Sequence, residues 1–116
     1  GFPFMEEFGT MGKMFQNVYL DLCWMTQISR EATRRGFDEM LDLVPYNKFF
    51  WGGDTHEMIA TAGALEIFRD VVAEVLAARI ERGIMTEEVA SDVAYKLFRE
   101  NAYHVFNLSE KIGMKL

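Results

Sequence analysis

Apolar and polar positions alternate with a period of two over residues 17–23. Val18, Leu20 and Leu22 fall on one side and Tyr19, Asp21 and Cys23 on the other, which predicts a first strand. A second strand is predicted at residues 47–52, where Asn47-Lys48-Phe49-Phe50-Trp51 is a short apolar run ended by Gly52-Gly53. The remaining apolar positions repeat at helical spacing. Residues 4–15 predict a short helix, and Ser29 is a suitable N-cap for another that runs to Val44 and is broken by Pro45. Ala64, Leu65, Phe68, Val71, Val72, Val75, Leu76 and Ile80 mark one face of a long helix near 62–82. Thr86 caps the next, near 87–106, with Glu87 and Glu88 in its first turn and Val89, Ala90, Val93, Ala94, Leu97 and Phe98 on its buried face. Residues 24–28 are expected to be a loop, and residues 109–116 a tail.

The order helix, strand, helix, strand, helix, helix contains one βαβ unit, whose strands are expected to pair in parallel. A two-stranded parallel sheet has two open edges and little stability of its own. Further strands would therefore come from a second copy or from a larger α/β protein; the competing expectation is an all-helical chain. No repeat or Pro/Gly-rich linker divides residues 1–116, which read as a single unit.

Composition narrows the function classes. Half of the 116 residues are apolar and 26% are charged, as in ordinary globular domains. The net charge of −6 disfavours binding to nucleic acid or to anionic lipid. The single Cys23 fits a reducing, cytoplasmic setting. The richest apolar stretch, residues 71–80, contains Glu74 and Arg79 and is too short to span a membrane. No signal peptide is visible, and the chain opens on Gly1-Phe2-Pro3-Phe4 without an initiator Met, which suggests a fragment of a longer protein.

The densest polar cluster, Gly52-Gly53-Asp54-Thr55-His56-Glu57, follows the second predicted strand. Ligands and catalytic groups in α/β folds gather at the carboxyl ends of strands, where an Asp can bind a metal or take a proton from water. The alternative is a turn aspartate that caps its own backbone. His56-Glu57 does not begin a zinc-protease motif, because Ala60 stands where the second His is needed. Two histidines, His56 and His104, cannot build a common zinc site unless carboxylates or Cys23 join them. Asp21 and Trp24 close the first strand on the same edge and could border a pocket with Asp54. Cys23 reads as a small buried thiol, His104 as a packed or rim histidine, and Arg30, Arg34 and Arg35 as a solvated face paired with Glu31, Asp38 and Glu39.

Four stretches in order resemble the C-terminal end of the amidohydrolase superfamily, specifically its predicted metal-dependent hydrolases related to uronate isomerases. These are Gly1-Phe2-Pro3-Phe4 with Glu6 or Glu7, then Asn17-Val18-Tyr19-Leu20-Asp21-Leu22, then Lys48-Phe49-Phe50-Trp51-Gly52-Gly53-Asp54-Thr55, and finally Arg99-Glu100-Asn101-Ala102-Tyr103-His104-Val105-Phe106-Asn107-Leu108. The resemblance implies the C-terminal βαβα portion of a (β/α)8 TIM barrel, helix-rich and completed by oligomerisation or by missing chain. It implies that Asp54 is the strand-eight aspartate that binds metal or activates water, with His56, Asp21 and Trp24 lining the pocket. Zinc or manganese would be the cofactor of the complete enzyme, and a small molecule its substrate. The remaining metal ligands would precede Gly1, so the isolated chain is expected to be inactive and to hold no ion tightly.

The expected activity of the whole is hydrolysis of C–N or C–O bonds, or decarboxylation. The competing expectation is a small helical module, without catalysis, that self-associates through its eight Met and ten Phe residues. A self-standing enzyme with its site shared across a dimer ranks third.

Overall fold

Local signals set most of the helices in the computed structural model, which describes residues 2–112. Gly1 of the opening segment and residues 113–116 of the expected tail lie outside them. Helix α1 spans Met5–Met14. Ser29 caps α3, Arg30–Leu43, by accepting the Ala32 amide at 3.2 Å, and Thr86 caps α5, Glu87–Tyr95, by accepting the Val89 amide at 3.3 Å. Helix α4 covers Met58–Glu81, so it begins four residues before the expected 62. The expected helix at 87–106 comprises α5, a π-helical turn at Lys96–Glu100 and α6 at Asn101–Val105. Residues 24–28, expected as a loop, contain the single-turn α2, Met25–Ile28. A last turn, α7, spans Leu108–Ile112. No helix among the described residues is long and apolar enough to cross a membrane.

The strands are β1, Leu20–Asp21, and β2, Phe49–Phe50, paired in parallel with Leu20 beside Phe49 and Asp21 beside Phe50. These two short strands pair only with each other in a mostly helical chain, which overturns the expected βαβα portion of a TIM barrel. The physical reason lies at the outer edge of β2. There the Trp51 amide donates to the Leu97 carbonyl at 3.3 Å, and the Asn101 side-chain amide donates to the carbonyls of Tyr46 and Phe49 at 2.7 and 2.8 Å. A helix thus occupies the hydrogen-bonding positions that a further strand would use. The π turn, which leaves the Leu97 carbonyl directed at Trp51, is part of that closure.

The core lies where α3, β2, α4 and the C-terminal helix meet. Phe68 is fully buried and packs edge-on against Phe37 and Phe98, with ring centroids 6.0 and 5.8 Å away, and is stacked on Trp51 at 6.2 Å. Leu20 and Leu22 enter the same core, as the period of two predicts. Arg79 interrupts the apolar face of α4 and is itself buried. Its guanidinium donates to Asp38 Oδ1 at 2.6 Å, the Asp38 carbonyl at 2.6 Å, and both Asp42 oxygens at 2.8 and 3.0 Å, which ties α4 to α3.

Candidate strand-end site

Because β1 and β2 run in parallel, the residues that follow them emerge on one side of the molecule. Asp21 and Cys23 follow Leu20 with their side chains turned away from the core, and Gly52-Gly53-Asp54 follows Phe50. The backbone brings these groups close together. A Cβ on Gly52 would stand 2.5 Å from Asp21 Oδ2 and 2.9 Å from Oδ1, so only glycine leaves room for the carboxylate. The Gly52 amide donates to that carboxylate, while Asp21 Oδ1 is buried without any hydrogen-bond partner. Burial pushes the Asp21 carboxyl above its ordinary value and the charge of Asp54 adds to the rise, against the opposing Gly52 bond.

Cys23 is half-buried rather than enclosed, and its Sγ lies 3.9 Å from Asp54 Oδ2. Burial first, then the negative charges of Asp21 and Asp54, raise the thiol above its ordinary value. Cys23 is therefore held as a neutral thiol and is a poor nucleophile.

An open hollow of about 430 Å³ sits at this edge, lined by Trp24, Gln27, Asp54, Thr55, His56, Glu57 and Ala60. Of the pocket residues expected from sequence, Asp54, Trp24 and His56 line it and Asp21 lies outside its lining. Gln27 and Glu57 are additions. Gln27 donates to the Gly53 carbonyl at 3.3 Å from 26 positions away, a contact with no local sequence signal. Glu57 is the last residue of the expected polar cluster, which was its signal, although it was not among the expected pocket residues. Trp24 at φ 64° and Asp54 at φ 47° both hold left-handed backbone conformations, which turn two exposed side chains onto the hollow. Thr55 and Thr61 share a hydroxyl hydrogen bond that braces the loop against α4.

A hollow of equal volume lies between the start of α1 and α3, lined by Phe2, Phe4, Glu6, Arg35 and Glu39 among others. It does not reach the strand ends, and its Arg35 is 4.0 Å from Glu31. The other arginines of the helix face also have partners, Arg30 with Glu74 and Arg34 with Glu31, each at 2.8 Å. His104 is exposed, 3.8 Å from Glu100. Among the described residues no group of three His, Cys, Asp or Glu side chains could hold a metal ion. Asp54, with Cys23 beside it, does not make a metal site from these residues.

The strand-end hollow thus presents two exposed carboxylates, Asp54 and Glu57, with an imidazole and an indole and no Lys or Arg in its lining, while the half-buried Asp21 carboxyl and the neutral Cys23 thiol stand behind it. Such a set can hold a small molecule and take a proton from it or from water. No family model matches the chain, and no solved structure matches it. The chain is similar to Protein fluG of Emericella nidulans, with 30% identity over 112 residues. That match covers 95% of this chain and 13% of fluG, so the chain corresponds to a small part of that protein's length.

Proposed function

We propose that this chain is one part of a longer cytoplasmic enzyme of the amidohydrolase kind, which hydrolyses C–N or C–O bonds or decarboxylates a small substrate. The observation that carries the reading is the gathering of Asp21, Cys23 and Asp54 at the carboxyl ends of two paired parallel strands, beside a hollow of about 430 Å³. In this reading Asp54 is the carboxylate that takes a proton from the attacking water. Trp24 and His56 bound the substrate, and Asp21 sets the local charge from behind. The small share of fluG that the chain covers supports the view that other groups, the ligands of any zinc or manganese ion included, come from polypeptide beyond these residues. The lone Cys23 supports the cytoplasmic setting.

The test is turnover of a panel of amides, esters and carboxylic acids by the longer polypeptide and by this chain alone. Asp54→Asn should lower kcat of the longer protein by about 10²-fold or more, the range for loss of a general base. An unchanged kcat would remove Asp54 from the chemistry.

A further inference from the structure

The ion pairs of this chain lie on its helices. Arg79 meets Asp38 and Asp42, Arg30 meets Glu74, Arg69 meets Glu66, and Lys96 meets Asp92. None of these cations reaches the strand-end hollow. Asp54 and Glu57 line that hollow as exposed carboxylates, and no salt bridge among the described residues includes either. The neutral groups of the lining add acceptors and a π face. Gln27 turns its amide nitrogen onto the Gly53 carbonyl, which leaves its Oε1 as an acceptor. The Trp24 indole is 54% exposed in the same wall. Beyond the effect of burial, the negative charge of Asp54 raises both the Asp21 carboxyl and the Cys23 thiol, so the field at this edge is negative. The start of α4 contributes about half a positive charge, too little to offset two full negative ones.

We propose that the hollow takes an organic cation, an ammonium, amidinium or guanidinium group, with Glu57 as its counter-ion, Gln27 Oε1 as a second acceptor and the Trp24 indole against its face. This rests on the reading above that the hollow receives the substrate. The cationic group is then a non-reacting part of the amide or ester, and Asp54 is left at the bond that is cut. The volume of about 430 Å³ is in the range of small-molecule sites.

A divalent metal is the other source of positive charge, and the lining favours the organic one. No group of three His, Cys, Asp or Glu among the described residues could hold a metal ion. An ion held by one or two carboxylates keeps most of its waters, and the indole gains nothing from it. An organic cation uses the whole lining, through N–H bonds to a carboxylate and contact with the indole face.

Titration of this chain with benzamidine, a planar monocation at about pH 8, tests the proposal, with neutral benzamide, anionic benzoate and zinc as comparisons. The readout is the indole N–H signal of Trp24 in a proton–nitrogen NMR spectrum, identified by its loss in Trp24→Phe. Trp51, stacked on Phe68 in the core, is the internal control. Benzamidine should shift the Trp24 signal with a Kd on the order of 1 mM, and benzamide and benzoate should bind about fivefold more weakly or worse. Glu57→Gln should weaken benzamidine about fivefold or more. The Glu57 side chain makes no capping bond to α4, so the helix is kept. Glu88→Gln, outside the lining, should leave the Kd in place. In the longer polypeptide, Glu57→Gln should raise KM about fivefold for amides that carry a cationic group and leave the KM of neutral amides where it was. Equal binding of benzamide or benzoate, an unchanged Kd in Glu57→Gln, or zinc bound through Glu57 more tightly than benzamidine would each overturn the proposal. Turnover of neutral amides without benzamidine binding would refute this inference and leave the hydrolase reading standing. Benzamidine binding through Glu57 without turnover of any amide or ester would refute that reading and leave the cation site.

Discussion

Replacing Asn101 by Leu tests the closure of the β2 edge. Leu repeats the branching and heavy-atom count of Asn with bulkier methyl groups, so both side-chain hydrogen bonds are lost and any overpacking adds to the cost. The Asn101 amide is buried and donates to two backbone carbonyls, Tyr46 at 2.7 Å and Phe49 at 2.8 Å. Each bond contributes about 1 kcal/mol net, and each carbonyl left buried without a partner costs about 1–3 kcal/mol. Partial relaxation towards water brings the expected loss to about 2–4 kcal/mol. With a urea slope of about 1–3 kcal/mol/M for a small domain, the unfolding midpoint should fall by about 1–2 M at unchanged slope. Hydrogen exchange adds a local readout. The Trp51 amide, held by the Leu97 carbonyl at 3.3 Å, should lose protection, because the same helix segment supplies both contacts. A midpoint within about 0.3 M of the parent, with Trp51 still protected, would refute the idea that Asn101 closes this edge.

Phe68→Ala should destabilise by about 3–5 kcal/mol, since Phe68 is fully buried among Phe37, Trp51 and Phe98; thermal unfolding should show a drop of more than about 10 °C. Arg79→Met should cost about 2–3 kcal/mol in chemical denaturation, as it strips the bonds to Asp38 and Asp42. Its effect should depend on pH. The Arg79 hydrogen bond holds the folded Asp42 carboxyl below its ordinary value, so that part of the stability is present above about pH 4 and is lost as pH falls through the depressed value. Because Asp42 is largely exposed, the acid-sensitive part should stay under about 1 kcal/mol. Asp21 has the opposite sign. Burial raises its folded pKa, so stability falls as pH rises from the ordinary carboxyl range through that raised value. Asp21→Asn should then gain stability at pH 7 and nothing near pH 3, which paired urea titrations would read as a higher midpoint at pH 7 only.

How much of this was legible in the sequence depended on the range of each interaction. The caps at Ser29 and Thr86 act over three residues, and both were readable. So was the alternation that buries Leu20 and Leu22 and turns Asp21 and Cys23 away from the core. The strands were overextended because their pattern says which face is buried and not how many residues find a hydrogen-bonded neighbour. That limit comes from Asn101 and Leu97, about fifty positions away, which take the edge of β2. The π turn was hidden for the same reason. Arg79 looked like a polar interruption of the α4 stripe, since Asp38 and Asp42 lie on α3 and the pairing needs the two helices packed. At the site, Asp54, Trp24 and His56 were expected beside one pocket and do line one. Asp21 stands behind it because Gly52 admits the carboxylate to a recess that no short-range pattern marks.

The left-handed backbone at Trp24 and Asp54 has a consequence for how this chain would change under selection. Glycine adopts that conformation without the steric cost that a side chain meets there. In a library screened only for heat resistance, positions 24 and 54 should therefore drift towards glycine, erasing the indole and the carboxylate first. In a library screened for ligand capture or turnover they should hold, and compensating gains should accumulate in the helices instead. The same two positions would then separate lineages chosen for durability from lineages chosen for work.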